Sequence, residues 1–135
     1  MAAGHLGMDG ASWTQRLPAQ WPQTEARLSM AYDELRKRHI LLVPAYDSYY
    51  QQWSVATWEW DGTNWTKRPG TTHPGVIEWT NAVFSNEQQK VLIYGGYDLA
   101  TQDRLGAIWG YDGTADLWVE IDAGSPSPRG YSGLA

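Results

Sequence analysis

The stretch WDGTNW, at residues 60–65, occurs three times in this chain with small changes. An upstream copy, MDGASW, occupies residues 8–13, and a downstream copy, YDGTADLW, occupies residues 111–118. A motif that recurs in a chain of 135 residues indicates an internal repeat. A single repeat unit does not bury its apolar face alone, so we expect neighbouring units to pack into a shared core.

Two longer segments give the period of the repeat. Residues 31–47 read AYDELRKRHILLVPAYD and residues 82–98 read AVFSNEQQKVLIYGGYD, and the two align without a gap at an offset of 51 residues. This offset predicts that both segments form the same strand–turn–strand unit. It also makes Trp109 the equivalent of Trp58.

Further anchor residues support this period. Asp112 follows Asp61 by 51 residues, whereas Asp9 precedes Asp61 by 52 residues, which a one-residue loop insertion explains. Arg129 follows Arg27 by 102 residues, so residues 129–135 are typical of the start of another copy.

Four short apolar stretches in each period predict four β-strands, the second of them ended by Pro44 or by a pair of glycines. An Asp-Gly pair separates the third strand from the fourth and predicts a two-residue hairpin loop there. The predicted strands are residues 28–32 and 79–84, 40–43 and 91–94, and 54–60 and 105–111, with fourth strands that begin at Trp13, Trp65 and Trp118.

The composition is that of an all-β protein. The chain has nine Trp and eight Tyr, and large aromatic side chains favour strands. The fourteen Gly and seven Pro lie mostly between the apolar stretches, as turn residues do.

Charge and residue usage exclude several classes of function. A net charge of −5 argues against binding to nucleic acid, which requires a basic surface. The absence of cysteine excludes disulfides, a thiolate nucleophile and Cys-ligated zinc. The sequence contains no apolar run of the length of a membrane span, so we expect no membrane partner. It also lacks the features of a secretory signal, and the sequence indicates no particular cellular compartment.

Four strands in about fifty residues is the period of a kelch repeat. Residues 94–96 (YGG), residues 109–113 (WGYDG) and Trp118 resemble a kelch repeat of the bacterial, galactose-oxidase-like kind, and the resemblance covers residues 8–135. It implies an all-β, incomplete β-propeller built from kelch-like four-stranded antiparallel blades. The whole chain, 1–135, is then one propeller segment, with residues 27–77 as blade one, 78–128 as blade two, 8–26 as the last strand and interblade loop of a preceding blade, and 129–135 as the first strand of a following blade.

The resemblance implies a structural role for the repeated aromatic and glycine residues. In the family, such aromatics fill the wedge between blades and the paired glycines let strands approach closely. Blade one has Pro44 and Ala45 where blade two has its glycines, so we expect it to be less regular. The sialidase Asp box resembles this motif but places a residue between Asp and Gly. The structural set is Trp13, Trp58, Asp61, Gly62, Trp65, Gly95, Gly96, Trp109, Asp112, Gly113 and Trp118.

The sequence contains no catalytic constellation. A copper oxidase of the galactose-oxidase type needs a Cys linked to its Tyr, and this chain has no Cys. His5, His39 and His73 lie far apart in sequence, and no GxSxG motif is present. We therefore expect a protein that is not an enzyme, with no catalytic residues, no metal site and no cofactor.

One loop has a composition typical of a binding site. Residues 46–53, YDSYYQQW, join the second and third strands of blade one, whereas the equivalent residues 97–104, YDLATQDR, are mostly polar. Because strands alternate in direction, loops of this kind and the loops between blades emerge on one face. Packing of Tyr49 and Tyr50 against the blade edge is an equally compatible interpretation. The candidate binding residues are Tyr49, Tyr50, Trp53, His73, Asp103 and Arg104.

These observations favour non-enzymatic recognition of a protein, peptide or glycan. A first alternative is carbohydrate binding, because residues 58–65, WEWDGTNW, are similar to strings in two-blade fucose-binding lectins that assemble into propellers. The Arg-containing strand that holds sugar in those lectins has no counterpart here. A second alternative is a fragment of a larger propeller enzyme with its catalytic residues elsewhere.

Two blades do not close a propeller, which has four to eight. We therefore expect the missing blades to come from the parent chain or from homo-oligomerisation.

Overall fold

The computed structural model of the chain describes residues 7–8, 12–24 and 26–122. This part of the chain is all-β, contains no helix and forms antiparallel sheets, none of which is closed. The anchors Asp9 and Arg129, His5 and the proposed strand at residues 129–135 lie outside the described residues. The strands are β1 (Gly7–Met8), β2 (Trp13–Thr14), β3 (Met30–Asp33), β4 (Arg38–Asp47), β5 (Gln52–Trp60), β6 (Trp65–Lys67), β7 (Ile77–Glu78), β8 (Asn81–Ser85), β9 (Lys90–Tyr94), β10 (Tyr97–Asp98), β11 (Ile108–Asp112) and β12 (Leu117–Asp122).

Two four-stranded sheets contain most of these strands. The first sheet has the order β3-β4-β5-β6, and the second has the order β8-β9-β11-β12. Both are meanders in which every neighbouring pair is antiparallel. The predicted four strands per repeat and their order are therefore confirmed.

Strand β4 is longer than the sequence predicts. It continues through Pro44, opposite Val55, and ends at Asp47. The predicted stop at Pro44 is wrong because β3 begins at Met30, opposite Leu41, so Pro44 has a neighbouring strand on one side only. A proline without an amide hydrogen is tolerated where no second strand needs that donor.

The hairpins between the third and fourth strands have four-residue turns, not the predicted two-residue loops. Trp60 pairs with Trp65, and Asp112 pairs with Leu117. In the first turn, Asp61 Oδ1 accepts the backbone N–H groups of Thr63 and Asn64, both at 2.8 Å. Asp112 makes the equivalent bonds in the second sheet. The repeated aspartate therefore closes the turn through its side chain, as Asp characteristically does.

The predicted offset of 51 residues holds for the third strands but fails for the first hairpins. Trp58 pairs with Leu41 and Trp109 pairs with Ile93, so the two Trp residues are equivalent, as predicted. In the first hairpins, however, the turns that follow Asp33 and Ser85 both have four residues, and Asp33 and Ser85 are 52 residues apart. Turn geometry fixes register, and a one-residue shift turns every side chain to the other face.

This shift explains how the two sheets pack. The side of the first sheet that carries Ile40 and Leu42, here called its front, contacts the side of the second sheet that carries Val91 and Ile93, here called its back. The equivalent back of the first sheet carries Leu41 and Trp58. The sheets thus stack front to back, and the shared core comprises Ala31, Ile40, Leu42, Ile77, Val91, Ile93, Tyr111 and Trp118.

Polar groups seal one end of this interface. The buried carboxylate of Glu59, on the front of the first sheet, accepts hydrogen bonds from Arg36 at 2.5 and 2.8 Å and from Arg68 at 3.3 Å. From the second sheet, the Tyr111 hydroxyl lies 3.3 Å from Glu59 Oε1 and donates to Asp116 at 2.8 Å. Burial, followed by the hydrogen bond to Asp116, raises the pKa of Tyr111, which keeps this hydroxyl protonated as a donor.

The segments that lead into the two sheets bond to each other at the opposite end. Arg27 O accepts the Trp79 N–H at 3.0 Å, and the Ser29 hydroxyl donates to the carbonyl of Thr80. Strand β7, which precedes the second sheet, then pairs with β10, which follows β9.

Candidate binding groove and aromatic loop

The turn at residues 48–51 presents two tyrosines to solvent. Asp47 Oδ1 accepts the backbone N–H groups of Tyr49 and Tyr50 at 2.9 and 3.0 Å, and Gln51 takes a left-handed conformation at φ 51°. The Tyr49 and Tyr50 side chains are 83% and 72% exposed, and their rings meet edge to face at 4.8 Å. Packing of the two rings back against the edge of the sheet, the alternative interpretation, does not occur.

The second repeat builds the same turn, after β10, without aromatic side chains. Asp98 Oδ1 accepts the N–H groups of Ala100 and Thr101, and Gln102 takes the left-handed conformation at φ 66°. The sequence therefore encodes one backbone turn twice and places exposed tyrosines on only one copy. A structural role alone explains the aspartates, Asp47 and Asp98, but not the tyrosines.

A groove lies beside this loop, between the first sheet and the β7–β10 pair. Tyr46 and Trp53 face each other across the β4–β5 ladder with their rings 5.1 Å apart, and both line the groove. Thr24, whose hydroxyl donates to the Pro44 carbonyl at 2.7 Å, forms another wall. We call this cavity of about 670 Å3 the seam groove, and its lining residues are Gln23, Thr24, Ala26, Pro44, Ala45, Tyr46, Trp53, Glu78 and Leu99.

The seam groove contains a buried acid that the sequence analysis missed. Glu78 is 9% exposed, and its Oε2 accepts the Arg27 N–H at 3.1 Å. Its position in the otherwise apolar stretch at residues 76–79 is the sequence signal that could have identified it. Tyr46, also missed as a site residue, has no signal beyond the aromatic content of its loop.

The structure does not bring all six predicted binding residues together. Trp53 lies in the seam groove and the two tyrosines lie at the loop tip. Arg104 pairs with Tyr97 in an isolated bridge and lines a separate cavity of about 270 Å3 with Trp109 and Glu120. Asp103 is exposed, and its carbonyl accepts the Asp98 N–H.

His73 lies near the other end of the second sheet, where Asp116 ends the turn between β11 and β12. Burial lowers its pKa, and the negative charge of Asp116 partly opposes this effect. His73 Nε2 is buried without a hydrogen-bond partner among the described residues. The prediction that groups His73 with the aromatic loop does not match this placement.

The predicted structural residues take several positions. Trp118 is buried, Trp109 packs against the core, and Trp58 and Trp65 are half-buried. Trp13 is 54% exposed and pairs with Met8 as Trp65 pairs with Trp60.

The paired glycines have a steric reason. Gly95 and Gly96 take φ values of 68° and 105°. A Cβ atom on Gly96 would lie 2.7 Å from the Thr80 side chain and 2.9 Å from the Glu78 carbonyl. Gly96 therefore allows the approach of the segment that carries Glu78, one wall of the seam groove.

The back of the first sheet forms a further groove of about 730 Å3 with the segment at residues 15–21. Trp60 and Trp65, with rings 5.5 Å apart, line it together with Trp21. Ala19 N–H and the Gln20 side chain bond to Asn64 and Trp65, which holds the segment at the sheet edge.

No protein-family model matches this chain, and no curated protein shows significant similarity to it. Among residues 7–8, 12–24 and 26–122, no three acidic or histidine side chains are placed to hold a metal ion. No helix in the same part of the chain is long and apolar enough to cross a membrane.

Proposed function

We propose that this chain is a non-catalytic recognition segment of a kelch-type β-propeller, which binds a peptide or glycan where β4 meets β5. The observation that carries this proposal is the exposed Tyr49–Tyr50 pair on a turn held by Asp47. Two large aromatic rings on a preset loop offer contact area at a low cost in conformational entropy. The exposed pair does little for the core, so binding supplies its physical role.

The chemistry beside the pair suits such ligands. The adjacent, mutually tilted rings of Tyr46 and Trp53 provide apolar surface, and the Glu78 carboxylate provides a hydrogen-bond acceptor. Sugars and extended peptides stack on aromatic rings while a few polar groups fix their orientation. Loop tip and groove together therefore form one candidate recognition surface.

The test is the double variant Y49A/Y50A on glycan and peptide arrays. We expect it to lose the ligands that the wild-type protein captures, with a nearly unchanged melting temperature. The matched control is Thr101→Ala, at the position in the second repeat equivalent to Tyr50, which should bind as the wild type does. A melting temperature several degrees lower, with no binding to lose, would show that the tyrosines serve stability.

A second candidate role is the stacking of further sheets, and one observation favours it. Met30 and Tyr32, on the back of the first sheet, are 51% and 41% exposed. Their equivalents in the second sheet, Ala82 and Phe84, pack against the shared core. The same face is thus covered in one sheet and open in the other. We propose that a further sheet of this repeat, from the parent chain or from another copy, covers it.

The residue pairs at the two open faces support this stacking. Inside the chain, Glu59 on a front face meets Tyr111 on a back face. The ladders make Gly110 the equivalent of Glu59, and Trp60 the equivalent of Tyr111. The open front therefore lacks the carboxylate, and the open back lacks the hydroxyl. If the two faces meet, neither group is left without its partner.

A further inference from the structure

Glu78 differs from the other buried acids of the described chain in its partners. Glu59 pairs with two arginines, and Asp33 accepts two backbone N–H groups and lies 3.8 Å from Arg36. Asp98 accepts two backbone N–H groups. Among the described residues, only the Arg27 N–H donates a hydrogen bond to Glu78, through Oε2, and no described cation lies within ion-pair distance of it. A carboxylate this buried is normally compensated by a cation or by several donors.

Arg27, whose backbone contacts Glu78, does not supply that positive charge. The Arg27 backbone bonds to Glu78, but the Arg27 guanidinium lies over the Trp79 ring, 5.1 Å from its centroid. The second oxygen of Glu78 accepts no hydrogen bond from the described residues. The acid therefore has capacity for one more donor at the wall of the seam groove.

The rest of the groove is suited to a positive charge. Tyr46 and Trp53 line it, and the faces of aromatic rings attract ammonium and guanidinium groups. None of the described residues that line it is basic, and the chain carries a net charge of −5. Carboxylate, aromatic rings and overall charge thus favour the same class of ligand.

We propose that the seam groove binds the ammonium or guanidinium group of a Lys or Arg side chain in a peptide, with Glu78 as the counter-ion. This inference rests on the proposed recognition function and names the ligand chemistry. The Tyr46–Trp53 pair flanks the cation, and Tyr49 and Tyr50 contact the peptide beyond it.

The test uses the full chain and two capped tripeptides, Gly-Lys-Gly and its norleucine analogue, which lacks the charge. Titration calorimetry, or the change in total tryptophan fluorescence on binding, should show about tenfold or greater preference for the lysine peptide. Glu78→Gln should abolish the preference. Its side-chain oxygen still accepts the Arg27 N–H, so the melting temperature should stay the same. Glu87→Gln, which removes an exposed acid, should keep the preference.

Equal binding of the two peptides by the wild type, or an unchanged preference in Glu78→Gln, would overturn the inference. If Glu78→Gln proves unstable, Trp53→Ala must weaken the lysine peptide several-fold, because it removes a ring from the groove without touching the acid. Loss of array ligands in Y49A/Y50A, together with an unaltered Glu78→Gln, would refute the cation site and leave the recognition function standing.

Discussion

The indole N–H of Trp118 donates a hydrogen bond to the Thr57 hydroxyl, 2.9 Å away, across the boundary between the two sheets. Trp118 lies on the back of the second sheet and Thr57 on the front of the first, and both are buried. The bond therefore gives the apolar sheet interface a directional contact. It also satisfies a donor that the core would otherwise leave unpaired.

Thr57→Val tests the contribution of this bond. Valine keeps the shape of threonine but accepts no hydrogen bond, so the Trp118 N–H remains buried and unpaired. We expect the free energy of unfolding to fall by about 1–3 kcal/mol, measured by urea denaturation. The control, Thr66→Val on exposed strand β6, should stay within about 0.5 kcal/mol of the wild type. Equal effects of both substitutions would contradict the assigned bond.

His73 should make stability depend on pH in the mildly acidic range. Burial lowers its folded-state pKa below the ordinary value of 6.5. As the pH falls through 6.5, the unfolded chain takes up a proton that the folded protein resists, so the free energy of unfolding decreases. Above this range, His73 is neutral in both states and its contribution does not vary.

Urea denaturation of the wild type and His73→Gln at about pH 7.5, 6.5 and 5.5 measures this effect. The variant should lose stability less steeply as the pH falls, because glutamine does not titrate. Carboxylates contribute equally to both proteins, so the difference in slope isolates the histidine. Parallel curves would show that His73 ionises freely in the folded state.

Front-to-back stacking of separate copies predicts a particular pattern of association. Met30→Asp places a charge on the back of the first sheet, and Val119→Asp, at a 43% exposed residue, places one on the front of the second. Each variant alone should be a monomer of 15.2 kDa. An equimolar mixture should form a dimer, because one intact front and one intact back remain.

Sedimentation velocity distinguishes these species, and the wild type should show a mass that rises with concentration. Leu35→Asp, in an exposed turn away from both faces, should associate like the wild type. A wild type that remains monomeric at every concentration would exclude association between copies. The open faces would then be left to a further repeat of a longer chain.

The candidate site was only partly predictable from the sequence. Tyr49 and Tyr50 were identifiable because their loop differs from its repeat equivalent in composition, and both are exposed. The sequence marks Glu78 as an acid in an apolar stretch but does not show that it lines a groove with Tyr46, because that groove forms only when β7 and β4 come together. The grouping with His73 failed because the segment at residues 68–76 passes beside Asp116 before it reaches β7.

The sequence by itself determined the all-β class, the repeat and the four-strand unit. Local chemistry specifies these features: Asp47, Asp61 and their equivalents close turns through their own side chains, and apolar stretches between turns form strands. Each of these signals involves only a few neighbouring residues, so it can be recognised in the sequence without knowledge of the fold.

Only the tertiary structure decided the register and the faces. Ile40 and Val91 align in the sequence at the offset of 51 residues, and both are buried. They nevertheless lie on opposite faces of their sheets. Front-to-back packing buries the front of one sheet and the back of the next. The apolar pattern of the sequence therefore does not show on which of the two faces a buried residue lies. The sheet that a strand contacts determines which face it needs, and that contact exists only in the folded chain.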